Sequence, residues 1–488
     1  MPRQEKRVGK KIYLIQPTYR DRDGRLLKER SLFTHSLALP ALSAAIPPTW
    51  EKEICLEHFE EVNYDSEASV IGISCMVCDI FHACEIAEAF RKRGKTVLIG
   101  GCAAPLWKHV VKASVDALVY GNPGPEGMGR VLADVENGSL APEYQFGTNV
   151  DYPFDYEVLA GRRISFMPAL GSIGCANRCE FCCTAAMCNG RYHLRSLEAV
   201  MADLRAVRRL TRRVAFVDTN LYNNREHLKD LCRRIVDENI DIIWGAECTL
   251  TVGDDPEVLG LLRLAGCRLL VMGIETVNQG NLGKMGKPNL VKRYSEQIRR
   301  IREAGIFVAG FFIFGFDNDD RSTVEDLIRF IREVHISVPL VNVLTPVPGT
   351  RLFERLKSEG RMLMSNEADF LRQNLLYDTP MYRCHFLPRQ MSPEETEQSC
   401  LDLRKRLSSL RAIISRSLVP DPFMATVLFL LNLRFRRETR AIARFLRKEA
   451  KSSPSATPLN LRSRFRGPQQ SVLRTVNEGG HRIEELKE

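Results

Sequence analysis

The stretch GSIGCANRCEFCCTAAMCNG, Gly171 to Gly190, holds five cysteines in twenty residues. Three of them, Cys175, Cys179 and Cys182, are spaced C-x3-C-x2-C; Cys183 and Cys188 fall outside that spacing. A structural zinc site closes with four ligands, and a lone triplet supplies only three thiolates. A four-iron cluster has one more iron than the triplet can hold, which leaves one iron open to a non-protein ligand. The whole chain carries 15 cysteines, an odd number that argues against a complete disulfide set. Its first residues, MPRQEKRVGKKIYLIQP, lack the apolar core and cleavage site of an export signal. No run of 18 apolar residues occurs. A cytoplasmic, reducing compartment is therefore expected, where thiols stay free or bind metal.

The 488 residues are enough for two or three domains, and 44% hydrophobic with 27% charged residues is an ordinary globular balance. The net charge of +10 is uneven: Arg434 to Lys451 holds eight basic residues against two acids. Basic residues interleaved with aromatics on a nucleic-acid-binding module are missing, so no nucleic-acid partner is expected.

Working outward from the cysteines, both flanks alternate strand-like and helix-like segments. Before them, KIYLIQP, EICLEHF, ASVIGIS, KTVLIGG and VDALVYG are short apolar runs, and FHACEIAEAFRKRG is an amphipathic helix closed by Gly94. Such alternation predicts a parallel sheet covered by helices over residues 10–140. Ligands of these sheets bind at the carboxyl ends of the strands, which singles out Ser74, Gly100, Gly101 and Gly121. Paired glycines allow close backbone approach to a ligand; they also serve as plain βα turns. Residues 141–166, rich in turn formers, read as a linker.

From 167 to 385 the alternation restarts with FMPALGSIG, RVAFVDTN, DIIWGAE, RLLVMGIE, IFVAGFFIFG and PLVNVLTP. Six regular βα units suit a partial barrel, whose chemistry sits at the strand ends. Residues 386–450 read as helical, opened by Ser392, Pro393 and two glutamates. Residues 451–488, rich in Ser, Pro and Arg, read as a disordered basic tail. Leu431, Phe435, Ile442 and Phe445 fall on one face of the last helix with arginines elsewhere. That pattern fits an interfacial helix on anionic lipid, giving peripheral membrane contact through 423–450; packing on the barrel fits it equally.

The C-x3-C-x2-C run after a strand, with Phe181 before the third cysteine, resembles the radical S-adenosylmethionine (SAM) superfamily. The resemblance implies a [4Fe–4S] cluster on Cys175, Cys179 and Cys182. It implies that SAM binds the open iron and is cleaved reductively to a 5′-deoxyadenosyl radical, with electrons from an external flavodoxin- or ferredoxin-type reductant. It extends to later strand ends. FVDTN brings Asp218 and Asn220, GAECT brings Glu247, and MGIETVN brings Glu275 with Thr276 for the family's serine. GFFIFGFDNDD resembles the element flanking adenine, and LTPVPGTRLFERL brings Thr345, Pro346, Gly349 and Thr350. Each acid alone could be a cap or surface charge, Asp317 to Asp320 especially, before STVEDLIRFI.

The order of sheet domain, linker, three-cysteine barrel and helical region is similar to the cobalamin-binding class of that superfamily, over roughly residues 10–435. This implies α/β architecture: a flavodoxin-like cobalamin-binding-type domain, then a partial (β/α)6 radical SAM barrel, then an α-helical region. It implies cobalamin near Ser74, Gly100, Gly101 and Gly121, and C-methylation of an unactivated carbon on a small molecule or lipid, as in hopanoid-modifying members. Methylcobalamin then supplies the methyl group and a second SAM restores it, while the protein positions the cofactors. Two departures stand out: GGCAAP replaces the common Gly-Gly-x-His, and GNPGPE replaces Gly-Glu-x-Glu. No Asp-x-His-x-x-Gly signature offers a lower cobalt ligand. No residue is assigned as catalytic. Competing readings are radical cyclisation, rearrangement or coupling without methyl transfer, and a non-catalytic iron–sulfur or zinc protein. A transfer-RNA methylthiotransferase lacks its small β-rich domain here. Cys183 and Cys188 read as free thiols, with a second metal site involving Cys384 or Cys400 as a lesser alternative.

Overall fold

The computed structural model describes residues 10–20, 25–102, 104–105, 107–286, 290–363 and 383–452. The expected tail from 453 onward lies outside them.

Residues 10–148 form one six-stranded, all-parallel sheet. Its strands are β1 (Lys11–Gln16), β2 (Glu51–Leu56), β3 (Val70–Ser74), β4 (Thr96–Gly100), β5 (Ala117–Asn122) and β6 (Glu143–Thr148), in the order β2-β1-β3-β4-β5-β6. Every residue of VIGIS in β3 is buried, as a parallel strand covered on both faces requires. The helix Ile80–Arg91 packs its Ile80, Ala83, Ile86, Ala87 and Phe90 face on one side.

β6 is a departure from the sequence reading, which placed 143–148 in the linker. The segment EYQFGT alternates polar residues and glycine with Tyr144 and Phe146, so it carries no apolar run. Its pairing with β5 and the Tyr144 hydroxyl bond to Asp134 (2.7 Å) hold it at the sheet edge.

A second all-parallel sheet follows: β7 (Met167–Ala169), β10 (Arg213–Phe216), β11 (Ile243–Cys248), β12 (Cys267–Glu275), β13 (Phe307–Phe314) and β14 (Val338–Val343), ordered β14-β13-β12-β11-β10-β7. This is the open, six-stranded barrel that the βα count predicts. The stretch FMPALGSIG is not one strand. It bends at Gly171 into β8 (Ser172–Gly174), which pairs antiparallel with β9 (Tyr192–Leu194). The cysteine run is thus an excursion closed by a short ribbon, one step beyond the first barrel strand.

Two devices join the halves. Residues 32–33 bond to 163–166 ahead of β7 through Leu32 N to Arg163 O (2.9 Å) and Phe166 N to Phe33 O (2.8 Å). The fully buried Arg195 pairs with Asp203 (2.7 Å) and donates to the carbonyls of Val150, Tyr152 and Leu170. A buried charge is tolerated only with such complete pairing.

Helices Pro393–Leu407, Leu410–Ser417 and Pro422–Ser452 complete the described chain. The first opens with a reciprocal Ser392–Glu395 capping box, as the sequence suggests. Of the two readings of the last helix's apolar face, these residues fit packing: Phe435 and Ile442 are 2% and 6% exposed, and Leu431 and Phe445 pack on the core. Helical periodicity marks an apolar face but not what covers it. No helix among the described residues is long and apolar enough to cross a membrane.

Candidate functional site

The cysteine loop runs from Gly174 to the helix Cys183–Cys188. Gly174 sits at φ +90°, where a β-carbon would come within 2.5 Å of the Arg191 carbonyl and 3.3 Å of the Cys188 sulfur, so only glycine makes this turn. Asn223 holds the loop's start, donating to Gly174 O (3.0 Å) and accepting from Ala176 N (3.1 Å). Glu180 holds its middle. Its carboxylate takes a two-pronged contact from Arg355 (2.9 and 3.1 Å), its N–H donates to Met285 O, and its carbonyl accepts from Leu352 N. Phe181 meets Phe316 edge-on at 6.3 Å. The sequence reading missed this clamp; a lone glutamate between two cysteines is its only local trace.

Cys175 is buried and Cys179 and Cys182 are half-buried. All three lie in one turn-rich loop, with Cys182 N bonded to Cys179 O, and none is in a disulfide. Among the described residues no three His, Cys, Asp or Glu side chains are placed to hold a single metal ion. Thiolates that bind different irons of a cluster stand wider apart, so that geometry bears on a mononuclear site alone. Cys183 and Cys188 flank the loop as half-buried thiols, the former pushed up to about 11 chiefly by burial. Cys384 and Cys400 are buried elsewhere, in the core beneath the carboxy-terminal helices.

The carboxylates at the barrel's strand ends divide into two kinds. Asp218 is buried, and both oxygens are used inside the protein, by Gly171 N (2.9 Å) and Ser172 Oγ (2.8 Å). Burial pushes it up to about 6 against those hydrogen bonds. It fixes the bend that launches the cysteine excursion. Asn220 likewise bridges Thr249 N and Asn223, both at 3.1 Å. Asp319 accepts from Gly315 N, Phe316 N and Asn281, and Asp320 caps the helix Thr323–Glu333 through Ser322 and Thr323, as its position in the sequence suggests. Asp317 instead pairs with Arg355, Arg361 and Arg389.

Glu247 is different. It stands at the end of β11 and, among the described residues, makes no hydrogen bond or ion pair. Burial first, then the charges of Glu275 and Asp218, push it up to about 7. Glu275 sits beside a register shift of β12 at φ +67°, a strained position for a side-chain-bearing residue. Strain of this kind, of order 1–3 kcal/mol, gathers at functional sites. Thr276 accepts from Asn278 N (3.1 Å). Thr345 donates to Val343 O (3.1 Å) and Pro346 is buried beside it; Thr350 caps the helix Arg351–Ser358, and Gly349 turns at φ +87°.

On the first sheet, Ser74 is buried at the end of β3, in register with Gly100 of β4. Gly101 (φ +99°) would drive a β-carbon to 2.2 Å from Cys75 O, and Gly121 (φ +81°) to 2.0 Å from Phe146 O. These glycines are thus required by backbone packing, as tight βα turns would have it. The first sheet and the barrel touch here: Cys102 lies close enough to Cys183 for their charges to interact, and Val347 packs against the buried cluster of the first sheet that holds Ile73 and Cys75. The loops at the carboxyl ends of both sheets meet across one interface.

Residues 171–331 match the model of the radical SAM superfamily. Over 380 residues the chain is 26% identical to bacteriochlorophyllide d C-8(2)-methyltransferase of Chlorobaculum tepidum, covering 71% of this chain and 81% of that protein. Over 217 residues it is 32% identical to hopanoid C-2 methylase of Rhodopseudomonas palustris, covering 41% of each. The fold is similar to that of the radical SAM methyltransferase TsrM of Kitasatospora setae, solved with cobalamin and a [4Fe–4S] cluster. The TM-score is 0.64 at 17% identity, over 91% of this chain and all of that one. The cysteine excursion and the carboxylates at the ends of β10, β11 and β12 all lie within residues 171–331, the segment that matches the radical SAM superfamily.

Proposed function

We propose that this protein is a cobalamin-dependent radical SAM methyltransferase acting on an unactivated carbon of a small molecule or lipid. The observation that carries the reading is the interface between the two sheets. The turn after β4 comes near the cysteine loop through Cys102 and Cys183, and Val347 of the barrel half packs on the buried cluster of the first sheet. Its likeness to bacteriochlorophyllide and hopanoid methylating enzymes supports the same reaction.

The residues present fit the groups this needs. Three undisulfided cysteines in one clamped loop would hold the cluster, leaving one iron for SAM. Glu247, Glu275, Thr345 and Pro346 would line the SAM end, with Asp218 and Asn220 positioning the loop behind them. Ser74, Gly100, Gly101 and Gly121 would line the cobalamin side. The loops after β3, β4 and β5 contain no histidine, and His82 is held between Glu57 (2.9 Å) and Glu85 (3.0 Å), so a corrinoid here would take no histidine from this edge. When bound, the cluster and SAM supply a hydrogen-abstracting radical and cobalamin supplies the methyl group. The chain's own part is to hold the reacting carbon beside Glu247 and keep water and oxygen out. Electrons would come from a flavodoxin- or ferredoxin-type donor.

Anaerobic purification with cobalamin supplied tests the reading. Four irons per chain, a corrinoid absorbance spectrum and methylated product are expected. Iron without corrinoid would move the assignment to radical chemistry without methyl transfer, and absence of SAM cleavage would end the enzymatic reading.

A further inference from the structure

The helix Pro422–Ser452 lies across the barrel at the end away from the cysteine loop. Its Met424 and Leu428 pack on Leu269, Ala309 and Val338, near the starts of β12, β13 and β14, and Asn432 donates to Ser337 O (3.0 Å). The helix Leu410–Ser417 runs antiparallel beside it. Arg416 donates to Asn432 (2.8 Å), and Ser408, eight residues earlier, accepts through its carbonyl from Arg436 (2.5 Å). Residues 418–421 join the two helices, so they form a hairpin. Ile413, Met424, Leu428, Phe435 and Ile442 are its buried side chains.

The hairpin leaves a second set of apolar residues in water. Leu410, Ile414 and Leu418, four residues apart, form one exposed stripe, with Leu418 at 77%. On the longer helix Phe429 is exposed as well, and Leu430 reaches 59%. A lone exposed leucine is ordinary, whereas several gathered on one element mark a contact surface. Beyond Leu430 the exposed face turns basic: Arg434, Arg437, Arg440 and Arg444 follow at steps of three and four, with Arg447 one turn further. The single acid between Phe423 and Arg447 is Glu438, and it accepts from Arg434 (3.3 Å).

That charge decides the occupant. A second copy of the chain would set arginine against arginine, and like charges brought together at an interface are costly. A nucleic acid would use the arginines but leave Leu418 and Leu430 in water. An anionic bilayer takes both, with apolar side chains at the acyl boundary and cations at the phosphates.

We propose that this hairpin is a docking surface for an anionic lipid bilayer. Leu410, Ile414, Leu418, Phe429 and Leu430 enter the headgroup layer, and the arginines meet lipid phosphates. The surface is separate from the packed face of Leu431, Phe435, Ile442 and Phe445, and does not depend on which reaction the barrel performs. It seats the barrel by the amino-terminal ends of its strands and leaves the cysteine loop at the end away from the bilayer.

The test is co-sedimentation of the anaerobically purified full-length chain with vesicles. One set is phosphatidylcholine alone, the other phosphatidylcholine and phosphatidylglycerol in equal parts. Binding to the mixed vesicles should be about tenfold stronger, and should weaken as salt rises from about 0.05 M to about 0.5 M. Ile414→Ser combined with Leu418→Ser and Leu430→Ser keeps every charge, and should weaken binding to the mixed vesicles about tenfold. Arg437→Gln combined with Arg440→Gln and Arg444→Gln should erase the preference for phosphatidylglycerol. Leu290→Ser, at an exposed leucine outside the hairpin, should change neither. All the substituted side chains are exposed, so circular dichroism and melting temperature should match the parent. Undiminished binding by the folded triple serine variant overturns the proposal, because charge alone would then hold the vesicle. Equal binding to both vesicle types overturns it too. So does a dimer of the vesicle-free chain that the serine substitutions dissolve, which would give the surface to a second copy. Absence of vesicle binding, with a short RNA duplex bound instead, would give the arginines to nucleic acid.

Discussion

The two parallel sheets present their carboxyl edges to each other, yet the edges are built from opposite materials. On the first sheet the turns rest on Gly100, Gly101 and Gly121, whose missing side chains let neighbouring backbones close to within van der Waals limits. On the barrel the strand ends carry Asp218, Glu247 and Glu275, close enough that the charges of the other two raise the proton affinity of Glu247. One edge is held by close contacts between backbones. The other concentrates charge that must be neutralised by protons or by a bound cation-bearing group. An edge made of backbone is sensitive to a single added carbon; an edge made of charge is sensitive to pH.

The largest effect should come from the barrel side. Cys179→Ala should take iron from four per chain to about one or fewer and abolish SAM cleavage, while corrinoid bound to the first sheet persists; retained cleavage would remove Cys179 from the ligand set. Next comes the joint between the regions. Asp203→Ala leaves the fully buried Arg195 without its carboxylate, at a cost of about 3–5 kcal/mol in urea unfolding. Gly101→Ala should cost about 2–4 kcal/mol, because the new carbon meets backbone and not a movable side chain. Gly147→Ala, with open space around it, should stay within about 1 kcal/mol of the parent. Equal costs for the two would break the contrast drawn for the glycine edge.

The smallest effect concerns charge. Glu247, pushed up to about 7, holds a proton in the folded chain at pH values where the unfolded chain has lost it. That contribution favours the fold below the ordinary glutamate range and is lost as pH rises through 7. The melting temperature of Glu247→Gln relative to wild type should therefore climb between pH 4.5 and pH 8, by an amount of order 1 °C. A flat difference would mean that the lumen does not gather charge as described.

What could be read from the sequence follows from how local each signal is. VIGIS and IFVAGFFIFG announce buried parallel strands because both of their faces are covered. The cysteine triplet announces itself by spacing. EYQFGT hid an edge strand because half of its residues face solvent or a neighbouring glycine. The bend at Gly171 hid because it depends on Asp218, 47 residues later. Leu431, Phe435 and Ile442 read as an apolar face, but periodicity does not say that β14 and the helices Pro393–Leu407 and Leu410–Ser417 pack against their helix. Phe33 gave no signal at all; only the tertiary fold brings it from the first half of the chain against Phe166 ahead of β7. Asp218 and Asn220 stand out by position at a strand end; their bonds to Gly171, Ser172, Thr249 and Asn223 form only in the folded chain.

The packing of Met424 and Leu428 on Leu269, Ala309 and Val338 also sets an order of events during synthesis. The cysteine loop is made about 240 residues before these two. At typical elongation rates of roughly 5–20 residues per second this interval lasts about 10–50 s. For that time the nascent barrel has its cysteine loop but no base, and the helix Pro422–Ser452 works as a stopper fitted only afterwards.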